Sequence, residues 1–183
     1  MPSDIILIGP QTVGKSTVGK LLAERLDLPQ CSMDEKRWRY YKEIGYDETL
    51  ARQKIEEEGA WGILRYWKPF EAYAVERLLA EHTNYVIDFG AGHSVYDDSQ
   101  LFQRVEKALS PYPNVVLLLP SPDLEDSISI LSKRNQHLPA DIRSTNEYFI
   151  KHPSNNRLAK FVVYTKSKTP TETCDEILRR VNA

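Results

Sequence analysis

A glycine-rich segment near the amino terminus carries the residue types that bind phosphate. In GPQTVGKST, Gly9, Gly14, Lys15 and Ser16 have the spacing G-x-x-x-x-G-K-S of a phosphate-binding loop. Glycine lets backbone amides turn toward phosphate oxygens, and the helix that follows adds its unpaired first-turn amides. The lysine would reach the β- and γ-phosphates, and the serine hydroxyl would ligate Mg²⁺. The motif therefore predicts ATP and Mg²⁺ as cofactors, with the nucleotide held by Gly9, Thr12, Val13, Gly14, Lys15, Ser16 and Thr17.

Two carboxylates stand where predicted strands end, which is where ligands bind in an open α/β sheet. Asp34 follows the second strand, and it could accept a proton from a substrate hydroxyl or serve only as the N-cap of the next helix. Asp88 ends the third strand, and it could serve the metal or simply close a turn. Gly90 and Gly92 would let a substrate approach the backbone closely.

The strands and helices that must position these residues alternate along the whole chain. Apolar runs predict strands that begin at Asp4, Pro29, Asn84, Asn114 and Phe161. Alternation of strand and helix predicts an α/β fold with an open parallel sheet and helices on both faces. A proline inside the longest helical stretch predicts a kink or a break near Trp67 to Pro69. The predicted helices cover 15–26, 34–43, 48–82, 97–109, 122–134, 142–151 and 170–182.

Length and charge limit the classes of protein to which the chain can belong. At 183 residues we expect a single domain over 1–183, with no linker or repeat. A net charge of −2 gives no basic field, so a small-molecule substrate is expected rather than nucleic acid. Cys31 and Cys174 have no metal-binding spacing, and no apolar run is long enough for a membrane span. These features favour a cytoplasmic protein that does not bind membranes; the oligomeric state is left open.

Several segments, taken together and in order, resemble the shikimate kinase family. They are IILIGPQTVGKSTVGKLLAERLDLP, the acid Asp34, EEEGAWGILR, DFGAGH and NRLAKFVVYTKSKTPTETCDEILRR. The resemblance implies a P-loop fold of the nucleoside-monophosphate-kinase type with five strands in the order 2-3-1-4-5. It also implies an acceptor-binding region over about 34–82 and a mobile lid over about 133–150. The implied reaction is transfer of the γ-phosphoryl group of ATP to a hydroxyl.

The resemblance also assigns roles to individual residues. Asp34 would contact the hydroxyl that is phosphorylated, and an arginine near Arg65 would bind a carboxylate of the substrate. Lys133 or Arg134 in the lid would reach the transferring phosphate, which makes Lys15, Asp34 and Arg134 the expected catalytic residues. The expected substrate-binding residues are Asp34, Arg65, Gly90, Ala91 and Gly92.

The chain departs from the family pattern around the metal and the acceptor. Ser32 stands where the family has a magnesium-associated acid, so Asp88 is expected to serve the metal together with Ser16, through a bound water. Ala91 interrupts a glycine triplet, and the lid sequence SKRNQHLPADIR lacks the family's usual motif. The stretch before the last strand offers only Lys151, His152 and Arg157 as substrate-binding cations. The acceptor therefore remains open between shikimate and another small, anionic hydroxyl compound.

Alternative functions remain open on the residues alone. Trp38, Tyr41, Trp61 and Trp67 could line an acceptor pocket in which Arg65 or Lys68 holds an anion, or they could pack in the core. A pocket of stacked rings would suit a nucleotide or nucleoside kinase. A P-loop also occurs in nucleotide-dependent switch proteins that hydrolyse slowly, but the additional Asp34 carboxylate favours transfer over binding alone.

Overall fold

A single parallel sheet forms the centre of the molecule. The computed structural model describes residues 4–181. Its strands pair in the order β2-β3-β1-β4-β5, all parallel. The predicted fold class and strand order are thereby confirmed. The strands are β1 (Ile5–Ile8), β2 (Gln30–Ser32), β3 (Val86–Asp88), β4 (Asn114–Leu119) and β5 (Phe161–Tyr164).

Helices cover both faces of this sheet. α1 packs against α8 and the strands, while α3 packs against α2 and α4. No helix within residues 4–181 is both long and apolar enough to span a membrane. The predicted end of the last helix at 182 and the outermost residues of the predicted domain lie outside the described residues. The helices are α1 (Lys15–Leu26), α2 (Met33–Glu43), α3 (Glu48–Glu81), α4 (Ser99–Leu109), α5 (Leu124–Arg134), α6 (Ala140–Lys151), α7 (Pro153–Leu158) and α8 (Pro170–Val181), with a 3₁₀ turn over Ala91–Ser94.

The sheet brings the polar strand ends to one edge because its strands are parallel and in register. β1, β3 and β4 are buried along their full length, as strands covered on both faces must be. In the ladder between β2 and β3, Ser32 is the register partner of Asp88. Leu7 of β1 is the partner of Asp88 on its other side, so this carboxylate lies next to the start of the phosphate-binding loop.

The break in α3 lies at Gly59. This residue has φ 61° and ψ −149°, a conformation that is essentially restricted to glycine. The amide of Ala60, which begins the second half of the helix, donates to Asp141 Oδ2 at 2.9 Å. Asp141 belongs to α6, so a distant element satisfies the amide that the break exposes.

The helix does not break near Trp67 to Pro69, where the sequence predicts a kink or a break. Gly59 is the only residue of α3 with non-helical backbone angles, so the helix continues through Pro69. Proline removes one hydrogen bond to the carbonyl four residues earlier, that of Arg65. Both residues lie on the exposed face of α3, where water can hydrate that carbonyl. Packing of the opposite face against neighbouring helices keeps the segment helical.

The helix α7 was not among the predicted elements. It begins at Pro153, and the ring nitrogen Nδ1 of His152 accepts from the amide of Ser154 at 3.2 Å. Proline at the first position of a helix is a recognised start signal, because its missing N–H would have had no helical partner. The sequence HPSNN therefore contained a usable signal for this short helix.

We expect Gly59→Ala to lower the free energy of unfolding by about 1–3 kcal/mol, because alanine rarely adopts the backbone conformation that the break requires at this position. The new methyl group would also lie 2.9 Å from Asp141 Oδ2. Urea titration followed by circular dichroism measures the effect. Pro69→Ala is the matched control and should not destabilise the protein; a larger loss for Pro69→Ala than for Gly59→Ala would contradict our account of α3.

Candidate active site

The loop between β1 and α1 has the backbone geometry of an anion-binding nest. Gly9, Thr12 and Gly14 all have positive φ, at 137°, 60° and 104°. Alternation of such residues with ordinary ones points successive amides toward a common centre, where phosphate oxygens bind. Gly9 has a second constraint, because a methyl group there would overlap the carbonyl oxygen of Leu118 in β4. Val13, by contrast, is buried in the core, so only its backbone can contribute to the nest.

Lys15 lies folded into this loop. Its Nζ donates to the carbonyls of Gly9 at 2.8 Å and of Pro10 at 2.7 Å. Burial lowers the pKa of Lys15 to about 8, and the carboxylates of Asp34 and Asp88 oppose that shift. The ammonium group is therefore still largely protonated at neutral pH, close to both acids and to the anion nest.

Asp88 connects the start of α1 with the end of β2. Its Oδ1 accepts from Ser16 Oγ at 2.8 Å and from Ser32 Oγ at 3.1 Å. Its Oδ2 accepts from Gln30 Nε2 at 2.9 Å. A hydroxyl and a carboxylate at this distance fit Mg²⁺, which takes oxygen ligands and usually keeps several waters and phosphate oxygens as the others. Ser16 and Asp88 could therefore hold the ion that the sequence predicts.

Asp34 is exposed and is not an N-cap. Ser32 occupies the N-cap position of α2, and Asp34 is in the first turn with its side chain 59% exposed. A methyl group at Gly90 would lie 2.5 Å from Asp34 Oδ1 and 2.8 Å from His93 Nδ1. Glycine at position 90 therefore makes room for two functional side chains to converge at the end of β3. Within residues 4–181, the one ion pair of Asp34 is with Arg37, at 3.5 Å.

The turn after Gly90 is held by a buried ion pair. Lys68 Nζ donates to Glu71 Oε2 at 2.6 Å and to the carbonyls of Gly92 and Val95, each at 2.9 Å. Glu71 is 2% exposed, and a methyl group at Gly92 would overlap its carboxylate. Only glycine at position 92 leaves room for the Glu71 carboxylate. Ala91 packs in a small apolar cluster with Val95.

Arg65 does not lie beside Asp34. Its guanidinium pairs with Glu58 on the exposed face of α3. Arg65 also lines a cavity of about 420 Å³, together with Trp61, Lys68 and Tyr148, but neither Asp34 nor Lys15 lines this cavity. The binding of a substrate carboxylate by Arg65 stays a prediction, and its guanidinium is paired with Glu58 in this structure.

The predicted lid contacts both the phosphate-binding loop and α3. Arg134 Nη1 donates to the carbonyl of Thr12 at 3.0 Å, which places this cation at the nest. The amide of Gln11 donates to Asn146 Oδ1 in α6 at 2.8 Å. With Asp141 on Ala60, α6 therefore connects the nucleotide side of the site to the second half of α3.

The other candidate cations are engaged elsewhere. Lys151 pairs with Glu147 and Glu125, and His152 pairs with Asp97. Arg157 lies over the ring of Phe102 at 3.9 Å and is largely exposed.

The aromatic residues divide between core and surface. Tyr41 is fully buried, whereas Trp38 is 38% exposed. The ring centroids of Trp38 and Trp67 are 5.9 Å apart at 76°, so the two indoles form a corner. Trp61 packs edge-on against Tyr148 of α6, away from that corner. The rings therefore combine packing with one partly exposed corner, which the Arg37 guanidinium occupies.

Comparison with known proteins decides the family. The family model for shikimate kinase matches residues 11–182, which is nearly the whole described chain. The chain belongs to the shikimate kinase family. A shikimate kinase of Streptomyces coelicolor is 34% identical over 128 residues, which are 68% of this chain and 61% of that protein. The aligned part thus spans less than two thirds of the length of that relative.

Solved structures confirm the shikimate kinase fold. The shikimate kinase from Acinetobacter baumannii in complex with shikimate has a TM-score of 0.65 at 19% identity, covering 98% of this chain and 92% of that one. A gluconokinase from Sinorhizobium meliloti has a TM-score of 0.59 at 16% identity, covering 99% of this chain and 92% of that one. The fold is thus shared by proteins named for different acceptors and does not by itself select one.

Three polar residues close to Asp34 or to the turn after Gly90 were not among the predicted site residues. Glu71 and His93 are buried polar residues, and Arg37 follows Asp34 by one helical turn. The spacing of Asp34 and Arg37, three apart on a predicted helix, was a usable signal for the arginine. Nothing local marks Glu71 or His93, because their burial depends on contacts between distant elements.

We expect Lys68→Met to lower the free energy of unfolding by about 3 kcal/mol or more, because it leaves the Glu71 carboxylate buried without its partner. Arg65→Met is the matched control on the same helix. It should change stability little, since its ion pair is exposed to solvent. Thermal and urea unfolding measure both effects, and equal losses for the two variants would contradict the assignment of Lys68 as the structural cation.

Proposed function

We propose that this protein is an ATP-dependent kinase that phosphorylates a hydroxyl of a small anionic metabolite. The observation that carries the proposal is the exposed Asp34 carboxylate, which has no capping role and lies close enough to influence the charge of Lys15. Membership of the shikimate kinase family supports the same reaction class. A cytoplasmic location stays a prediction from the cysteine pattern.

The chain's own residues would act at three points of the transfer. The acceptor hydroxyl oxygen attacks the γ-phosphorus, the bond from that phosphorus to the β–γ bridging oxygen breaks, and ADP leaves. Asp34 takes the proton of the hydroxyl, or orients it, and the Gly90 backbone lies beside the acceptor. Lys15 and Arg134 stabilise negative charge on the transferred group, which is the main contribution a protein makes to phosphoryl transfer.

Nucleotide binding falls to the loop and the start of α1. The backbone amides of Gly9, Thr12, Val13 and Gly14 and the side chains of Ser16 and Thr17 face the phosphates in this proposal. Ser16 and Asp88 would hold Mg²⁺, which when bound neutralises charge on the triphosphate. Asp88 thereby compensates for the acid that Ser32 replaces, and it acts from the neighbouring strand.

The alternative acceptors differ in what they require of the site. A nucleoside acceptor needs an aromatic face for its base, but Tyr41 is fully buried and the open indoles of Trp38 and Trp67 carry the Arg37 guanidinium. A switch protein needs no acceptor-side acid, which leaves Asp34 without a role. Arg65, Ala91 and Gly92 stay candidates for acceptor contacts, with Gly90 the best placed of this group.

We expect ADP release from ATP to depend on a hydroxylated acceptor, and Lys15→Ala to abolish it. The charge that this substitution removes is needed at the phosphates, whereas the fold keeps its core. A coupled assay over a metabolite panel that includes shikimate measures turnover, and circular dichroism verifies folding of the variant. Acceptor-independent ADP release at the same rate, or wild-type turnover in Lys15→Ala, would refute the proposed reaction.

We expect turnover to stop after chelation with EDTA, and Asp88→Asn to raise the Mg²⁺ concentration needed for half-maximal rate. The asparagine keeps the size of the side chain but removes the charge that draws the cation. Ser32→Ala is the matched control, because Ser32 only donates to the same carboxylate. A larger effect of Ser32→Ala on the Mg²⁺ requirement would show that the metal is not served by Asp88.

A further inference from the structure

Arg37 occupies the aromatic corner beside Asp34. Its guanidinium carbon lies 4.5 Å from the ring centroid of Trp38 and 4.9 Å from that of Trp67. Contacts of this kind hold a cation in place and are worth more when the cation is partly desolvated. The side chain is 21% exposed, so it is mostly sheltered but can still be reached from solvent.

The guanidinium has donors to spare. Nη1 lies 3.5 Å from Asp34 Oδ1, while Nε is buried and has no hydrogen-bond acceptor among residues 4–181. Nη1 and Nη2 donate no hydrogen bond within residues 4–181 and, unlike Nε, they are not buried. A carboxylate that reaches Arg37 would therefore meet these two terminal groups, which can donate to its two oxygens.

No other cation considered for the acceptor offers such an edge. Lys68 is engaged by Glu71 and two carbonyls, and Arg65 pairs with Glu58 on the outer face of α3. Arg143, near the lid, donates to the carbonyls of Gln136 and Leu138. Within the part of the chain that the structure describes, Arg37 is therefore the candidate with both proximity to Asp34 and unused donors.

The buried side chain of His93 lies close to Asp34 at the end of β3. His93 is fully buried, and its Nδ1 has no hydrogen-bond partner among the described residues, while Nε2 lies 3.3 Å from the Tyr41 hydroxyl. Burial lowers the pKa of His93 to about 3, with Asp34 opposing and Arg37 and Lys68 adding to the shift. The imidazole is therefore uncharged, so Arg37 is the positive group that an anion would meet next to Asp34.

We propose that the guanidinium of Arg37, on α2, binds the carboxylate of the acceptor, a role that the family resemblance gives to an arginine near Arg65 on α3. This inference rests on the proposed function and adds to it the residue that selects the substrate class. Asp34 and Arg37 lie one turn apart on α2, so the hydroxyl and the carboxylate of one small molecule can engage both at once.

The test compares carboxylates with their neutral methyl esters. Shikimate, D-gluconate and D-glycerate, each alongside its ester, are titrated by calorimetry and assayed as acceptors. We expect at least one carboxylate to bind wild-type protein more tightly than its ester. Arg37→Gln should raise its KM or Kd about 30-fold or more, as expected for loss of a charged bidentate contact. The KM for ATP and the weak response to the ester should not change.

Two further variants separate recognition from folding and from general charge. Arg37→Lys keeps the charge but lacks the planar fork, so its loss should lie between wild type and Arg37→Gln. Arg39→Gln is the matched control, because Arg39 lies on the same helix, is largely exposed and pairs with Glu43 and Glu81. It should leave acceptor KM unchanged.

The outcomes distinguish this inference from the proposed function. Turnover with an Arg37→Gln variant that keeps wild-type KM for the carboxylate would overturn the role of Arg37 and leave the kinase assignment standing. Carboxylate binding that depends on Arg37 without any turnover would support the anion site and refute the kinase assignment. Failure of all three carboxylates to bind wild-type protein in preference to their esters would overturn the inference.

Discussion

The position of the Asp88 carboxylate is the constraint on which the nucleotide side of the site depends. It accepts hydrogen bonds from Ser16 at the start of α1 and from Ser32 at the end of β2. A parallel sheet makes this possible, because neighbouring strands end at the same edge and Ser32 and Asp88 are register partners. In the proposed function, Asp88 takes the place of the acid that the family resemblance implies at Ser32. It lies on the neighbouring strand and still reaches the Ser16 hydroxyl.

Features set by short-range sequence patterns could be predicted, and features set by contacts between distant elements could not. The phosphate-binding loop and the buried strands follow from residue spacing and from runs of apolar residues, and the strand order follows from the family resemblance. The structure confirms both the fold class and the strand order. The break at Gly59 depends on Asp141, which accepts from the amide of Ala60 and lies 81 residues beyond Ala60. Likewise, the sequence offers both Arg65 and Lys68 as anion-binding cations. Which of them is instead used in a buried ion pair depends on how α3 is rotated against the 3₁₀ turn, and spacing along one helix does not reveal that rotation. The helix does not break at Pro69, because packing of α3 against its neighbours outweighs the loss of one backbone hydrogen bond.

The helix α6 links the two halves of the site through single polar contacts. Asn146 holds the amide of Gln11 in the loop, and Asp141 holds the amide of Ala60 at the break in α3. Both contacts satisfy backbone amides that have no partner within their own elements, so displacement of α6 would expose them to solvent. A lid that includes α6, as the family resemblance implies, would couple its position to the conformation of the loop and to that of α3. Nucleotide contacts by Arg134, at the end of α5, would favour the same arrangement.

Two cations near the proposed acceptor site, Lys68 and Arg37, are held in different ways. Lys68 and Glu71 neutralise one another inside the protein and hold the turn at Gly92, so a cation that the sequence offered for binding is used for structure. Arg37 is instead held by aromatic faces, which orient a guanidinium without occupying its hydrogen-bond donors. Because Asp34 and Arg37 share one turn of α2, the separation between the hydroxyl-binding and anion-binding groups is fixed by helix geometry. Selectivity would then depend on the distance between the hydroxyl and the carboxylate of the acceptor. Two binding groups on distant elements would constrain this distance less tightly than two groups on one helical turn.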